Sequence, residues 1–209
     1  MNLPVDLGGG CACRTIRYKL TNSPLIVHAC HCRDCQRLTG GPFVINIWIE
    51  SQFVEPSPVM PKSFRLTAGT GKPHDVYFCE SCGTTLWSRY HIVPGDCLFV
   101  RAGTLDTPEA VKPDVHIYTR SKLPWLSLPE GVPAFPSSYK LDEVWSGESK
   151  ERLRRNRAAQ VLIPPQKQGR RASRYRCLVS SVQDAPRPYV AIWRKRASSR
   201  SGRSSVPEA

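Results

Sequence analysis

Seven of the nine cysteines in this chain sit in three tight groups, and that spacing constrains the fold more than any other feature. The groups are Cys11-Ala-Cys13, Cys30-His-Cys32-Arg-Asp-Cys35 and Cys79-Glu-Ser-Cys82-Gly83. A gap of two residues lets two thiolates face one metal, and a glycine after the second frees the backbone to turn its amides toward the sulfurs. Three such groups in 209 residues have to be gathered at one or two points, so the fold must be built around them.

The alternative use of paired cysteines is disulfides. The first ten residues lack a basic start followed by an apolar stretch, and no apolar run approaches the roughly 18 residues of a membrane span. A cytoplasmic chain (or a nuclear one) is expected, where thiols stay reduced. Three disulfides would also leave one of the seven cysteines over. Thiolates suit iron–sulfur clusters as well, but the C-x-x-C-G turn and the lack of a longer cluster run favour zinc.

A structural zinc takes four ligands in a closed tetrahedron. Cys11, Cys13, Cys79 and Cys82 add to four. Cys30, Cys32 and Cys35 make three, which leaves a position for water or substrate, as in catalytic sites. His28, His31 or His74 could instead close this second site. His31 lies between two ligands and is expected to turn away, whereas His28, two residues before Cys30, could share its face. Both sites could also be purely structural. Cys97 reads as a small buried residue, and Cys177 carries no role.

The rest of the domain reads as strands. Over residues 12–20, Ile16, Tyr18 and Leu20 alternate with Thr15, Arg17 and Lys19. A second strand is expected in 24–29 and a third over 43–50, with shorter candidates at 63–67, 75–78, 84–88, 97–101 and 115–118. A short helix from Arg33 to Leu38 should end at Gly40-Gly41. This pattern predicts a mainly β, sandwich-like domain. The proline-rich segment Leu123–Tyr139 reads as an irregular arm across it. Residues 148–162 suit a charged helix stopped by Pro164-Pro165.

Charge divides the chain. Residues 1–149 hold 14 Lys+Arg against 14 Asp+Glu, while residues 150–209 hold 16 against 3, so the whole net charge of +13 lies in the last part. Residues 150–209 are expected to form a basic, low-order tail, broken only by the apolar stretches 175–182 and 189–193. Its arginines (Arg152, Arg154, Arg155, Arg157, Arg170, Arg171, Arg174 and Arg176) could neutralise phosphates without sequence preference.

Gly10-Cys11-Ala-Cys13, then Cys30-His31-Cys32-Arg33-Asp34-Cys35-Gln36 with Thr39-Gly40, then Phe78-Cys79-Glu-Ser-Cys82-Gly83-Thr84 resemble, in order, the motifs of the CENP-V/GFA domain family. That family includes the glutathione-dependent formaldehyde-activating enzymes. The likeness continues through His116-Ile117-Tyr118 and Ser121-Lys122-Leu123-Pro124-Trp125, covering about residues 6–140. The resemblance implies an Mss4-like β-tent fold with two zinc ions per chain. It assigns Cys11, Cys13, Cys79 and Cys82 to a structural zinc, and Cys30, Cys32 and Cys35 to a substrate-linked one. The implied activity is that of a carbon–sulfur lyase joining glutathione and formaldehyde as S-hydroxymethylglutathione, with glutathione as co-substrate. No motif nominates a general acid or base. Arg33, Arg37 and Arg89 are charge-based candidates for contacts to glutathione carboxylates. Two rivals remain: a non-catalytic zinc-stabilised module whose tail contacts nucleic acid or chromatin, and a tail without a function of its own.

Overall fold

The computed structural model describes residues 6–67 and 69–162. The tail stretches 175–182 and 189–193, Cys177 and the arginines beyond Arg157 lie outside them.

Two sheets dominate. The first strands are β1 (Leu7–Gly10), β2 (Arg17–Leu20) and β3 (Ile26–Cys30), followed by helix α1 (Arg33–Thr39). Then come β4 (Val44–Glu50), β5 (Val54–Pro56), β6 (Lys62–Thr67), β7 (Pro73–Phe78) and β8 (Thr85–Tyr90). Strands β9 (Cys97–Arg101) and β10 (Val115–Ile117) precede helices α2 (Leu141–Val144) and α3 (Gly147–Leu162). Strands β1, β2 and β5 form a small antiparallel sheet, and the others form a seven-stranded sheet in the order β10-β3-β4-β9-β8-β7-β6. Only the β10–β3 pairing of the large sheet is parallel.

The inner strands of the large sheet are covered on both faces, so β4 is buried almost throughout rather than on alternate residues, whereas the edge strand β6 is exposed. Ile47 and Ile49 join Val27, Val100 and Trp87 in one apolar cluster with Tyr18, Leu20 and Val54 of the small sheet. Val44 and Trp48 face the other way and join Phe99, Val115, Trp145 and Leu153.

The expected strand over 12–20 is shorter than its alternation suggests. Only Arg17–Leu20 is strand, although Ile16, Tyr18 and Leu20 are all buried as expected. Residues 11–16 turn instead: Arg14 N–H donates to Cys11 O, Cys11 N–H donates to Ile16 O, and Arg14 takes a positive φ of 62°. That turn brings Cys13 back beside Cys11. Strand β1 lies in a glycine run for which no strand was expected. A Cβ on Gly9 would stand 2.4 Å from the Tyr18 ring, so only glycine lets β1 lie this close to β2.

The segment 123–139 is irregular and runs beside β10, with Phe135 N–H donating to His116 O and His116 N–H to Pro133 O. Helix α3 takes in residues 150–162, which charge alone groups with the tail. It docks through buried Leu153 and through Arg152, whose guanidinium donates to both Glu50 carboxylate oxygens and to Ser23 O.

Candidate metal and substrate site

The seven grouped cysteines gather at two points. Cys11, Cys13, Cys79 and Cys82 form one set and Cys30, Cys32 and Cys35 the other, with the sulfurs of each set within 4.8 Å of one another. Every cysteine among the described residues is a free thiol.

The four-sulfur set joins two turns. The Cys11–Arg14 turn meets the Cys79–Gly83 turn, in which Gly83 N–H donates to Cys79 O and Gly83 has φ 73°. Thr84 ties the turns together, its hydroxyl accepting from Ala12 N–H and its carbonyl from Cys79 N–H. Cys11 Sγ lies 3.4 Å from Cys13 Sγ, and Cys13 Sγ lies 3.7 Å from Cys79 Sγ. Sulfurs held about 2.3 Å from a central ion stand about 3.8 Å apart in a tetrahedron, so this set fits a zinc without rearrangement. Ile16 N–H and the Thr84 hydroxyl support the Cys11 and Cys82 sulfurs at 3.2 and 3.1 Å.

The three-sulfur set is built into the large sheet. Cys30 ends β3, held between Val44 of β4 and Ile117 of β10. Cys32 is the N-cap of α1, its sulfur accepting from Cys35 N–H at 3.4 Å, and Gly40 closes the helix in the left-handed conformation. Gln36 fixes the helix by donating to His31 O and Ser121 O, and the Thr39 hydroxyl donates to Cys35 O. Cys30 and Cys35 are buried and Cys32 is half-buried. Hydrogen bonds with Cys30 and Cys35 push the Cys32 thiol down, while hydrogen bonds with Cys32 and Cys35, together with burial, push Cys30 up. Three sulfurs this close and this buried cannot all ionise without a cation among them. An all-sulfur donor set of this kind suits zinc.

None of the candidate histidines joins the set. His28 is held near pKa 4 by burial and is therefore neutral; its Nε2 accepts from the Tyr139 hydroxyl, which in turn accepts from Trp145 Nε1–H. His31 pairs with His116 at 3.0 Å, and burial also holds it near 4. His74 stacks on Tyr90 with ring centroids 3.9 Å apart. Burial raises the Tyr90 phenol well above its ordinary value, and the Cys35, Cys30 and Cys32 sulfurs add to the rise. These groups make the sulfur-bearing face of the large sheet polar as well as buried.

A cleft of about 490 Å³ is walled by Leu38 and Thr39 of α1, Phe43 and Val44, and Gly83 and Thr84 of the second turn, with no cysteine in its lining. Of the arginines nominated by charge, Arg33 is engaged by Gln36 and Arg89 by Asp96, while Arg37 is exposed. None of them lines the cleft. Arg101 does, and its place was missed. The signal is that Arg101 shares strand parity with Cys97 and Phe99, which puts a charge on a buried face. Among the tail arginines, Arg152 is engaged by Glu50, and Arg154 and Arg155 by Glu151. No helix among the described residues is long and apolar enough to cross a membrane.

A mainly β chain with one four-sulfur and one three-sulfur set has two groups that could each hold a thiophilic metal ion. The chain belongs to the glutathione-dependent formaldehyde-activating enzyme family, whose pattern it matches over residues 6–121. No curated protein matches it. Among solved structures, a structural-genomics crystal structure of a Rhodobacter sphaeroides protein is similar, with 19% identity and a TM-score of 0.38 over 51% of this chain and 91% of that one.

Proposed function

We propose that this chain is a zinc-dependent carbon–sulfur lyase-like protein acting on adducts of glutathione, or a related thiol, with formaldehyde or another small aldehyde. The observation that carries the reading is the three-sulfur set, which no fourth protein donor joins among the described residues, together with a cleft walled in part by Leu38 and Thr39 of the helix whose first turn carries Cys32 and Cys35. Family membership supports the same substrate class. The two sheets are read as an Mss4-like β-tent, with the zinc-binding domain spanning residues 6–140.

Cys11, Cys13, Cys79 and Cys82 would hold a closed structural zinc. Cys30, Cys32 and Cys35 would hold a second zinc, which would lower the pKa of a thiol that it binds. The three cysteine thiolates donate strongly and bring the site to a formal charge of −1, which favours a thiol over water as the group acted on. In the forward direction the thiol S–H proton leaves, sulfur bonds to the aldehyde carbon, and a proton ends on the former carbonyl oxygen. The apolar wall of Leu38, Phe43 and Val44 limits water around that step. Gln36 and Thr39 keep the first turn of α1, and with it Cys32 and Cys35, in register with Cys30.

The test is metal content and turnover of the full chain. Wild type should carry two zincs and accelerate S-hydroxymethylglutathione formation above the spontaneous rate. Cys32→Ser should carry one and lose the acceleration. Two zincs without any acceleration would overturn the enzymatic reading and favour a zinc-stabilised binding module.

A further inference from the structure

Arg101 is the only buried arginine among the described residues, at 3% exposure. The other inward-reaching arginines each meet an acid: Arg89 pairs with Asp96 and Arg152 with Glu50. Arg101 takes part in none of the ion pairs among the described residues. Its Nη1 donates to Asn46 Oδ1 and its Nη2 to Ser88 Oγ at 2.7 Å, both neutral acceptors. Its Nε, fully shielded from water, has no acceptor at all. Its charge acts on the three-sulfur set, where it favours the Cys35 thiolate, but a buried donor without an acceptor is costly. Such an arrangement persists where a ligand completes it.

The cleft tells what kind of ligand. Arg101 reaches its wall together with the threonines Thr39, Thr84, Thr85 and Thr104. One cation among hydroxyls, with no carboxylate on that wall, is a setting for an anion. The Thr39 hydroxyl also donates to Cys35 O, so this wall adjoins the helix that carries Cys32 and Cys35.

We propose that Arg101 is a binding residue for a carboxylate of the substrate, so that the cleft selects carboxylate-bearing thiols such as glutathione over neutral ones. Asn46 and Ser88 hold the guanidinium in place, and the carboxylate supplies an acceptor for the open donor. The thiol half of this statement rests on the lyase reading above; the carboxylate half does not. A charge confined to serving the three sulfurs would leave the Nε donor open, since Arg101 donates to Asn46 and Ser88 and not to a sulfur.

The experiment is titration calorimetry on the full zinc-loaded chain with S-methylglutathione, which cannot react at sulfur, and with its dimethyl ester. Wild type should bind the acid about 10- to 100-fold more tightly than the ester, the span expected of a charge-assisted contact. In Arg101→Gln that ratio should fall to near one, through the acid alone, with both zincs retained. Arg101→Lys, which keeps the charge but loses the planar fork, should lie between, and it carries the test if the glutamine variant does not fold. Equal binding of acid and ester by wild type, or binding of neither, overturns the proposal. So does an Arg101→Gln variant that weakens acid and ester equally, or that sheds the second zinc with the ratio unchanged. The readout needs no turnover: a chain that discriminates acid from ester without making the adduct would sink the lyase reading and leave this one standing.

Discussion

The two cysteine sets are held by opposite kinds of structure. The four-sulfur set sits where two turns meet, with Cys13 and Cys82 exposed, and its supports are backbone amides and threonine hydroxyls. The three-sulfur set is fastened to the end of a central strand and the first turn of a helix. Around it lies a buried polar face that includes His28, Asn46, His74, Ser88 and Arg101. The first arrangement is what a fold needs in order to close: without an ion, two turns lose their common fastening. The second is expensive to bury and adds little to closure, which marks a face maintained for binding rather than for stability.

The largest expected effect tests that division directly. Cys79→Ser should abolish folding, because it removes one of the four sulfurs through which a zinc would join residues 11–14 to 79–83. Structural zinc binding is worth about 10–16 kcal/mol in small zinc domains, comparable with the whole stability of a domain. Cys32→Ser should stay folded, with one zinc and a melting temperature close to wild type. Metal content together with circular-dichroism melts of the two variants gives the answer. Equal collapse of both would erase the distinction between a closing site and a working one.

A smaller effect is expected at the helix that covers the polar face. Glu50 has a side chain 3% exposed and Arg152 one 14% exposed, so this is a buried pair rather than a surface one. Arg152→Ala leaves the Glu50 carboxylate buried and alone, and should cost about 3–5 kcal/mol in a urea melt. Zinc content should stay at two, since neither cysteine set touches α3 through this pair. Loss of the second zinc along with stability would mean that the three-sulfur set depends on its cover more than its own strand and helix suggest.

How much of this was legible in the sequence follows the same division. The gathering of seven cysteines into a four and a three could be read from spacing, because turn geometry at a C-x-x-C-G is local. Strand β4 could be read from alternation, β3 and β9 as short apolar runs, and α1 from Gly40, for the same reason. What could not be read depends on register between distant strands. Arg101 gains its neighbours only when β9 pairs with β4 and β8, which sets Asn46 and Ser88 beside it. Arg89, chosen by charge, instead meets Asp96 across the turn between β8 and β9. Likewise β1 looks like a flexible glycine run until Tyr18 is placed against Gly9. Helix α3 was expected from composition, but its docking rests on a Glu50–Arg152 pair separated by 102 residues.

The smallest expected effect concerns the polar face itself, at His74. This ring is 1% exposed, stacks on Tyr90, and has an Nε2 without a partner. Burial holds its pKa near 4, below the 6.5 of a free histidine, and the positive charge of Arg101 pushes the same way. Between those values the unfolded chain binds a proton that the folded chain does not, so stability rises with pH there and is lost as pH falls from about 6.5 towards 4. In His74→Phe the ring still stacks but no longer titrates. Wild type should therefore lose stability relative to this variant by no more than about 1.4 kcal/mol per pH unit across that window, and not above it. Comparing the two zinc-loaded proteins cancels acid release of metal, which both share. At neutral pH the variant should match or exceed wild type in stability, since it also removes an unpaired buried nitrogen. Such a gain would sharpen the contrast between the sets: around the three sulfurs, polar groups would be kept at the expense of stability. A variant that melts well below wild type at pH 7 would instead make His74 part of what holds the sheet together.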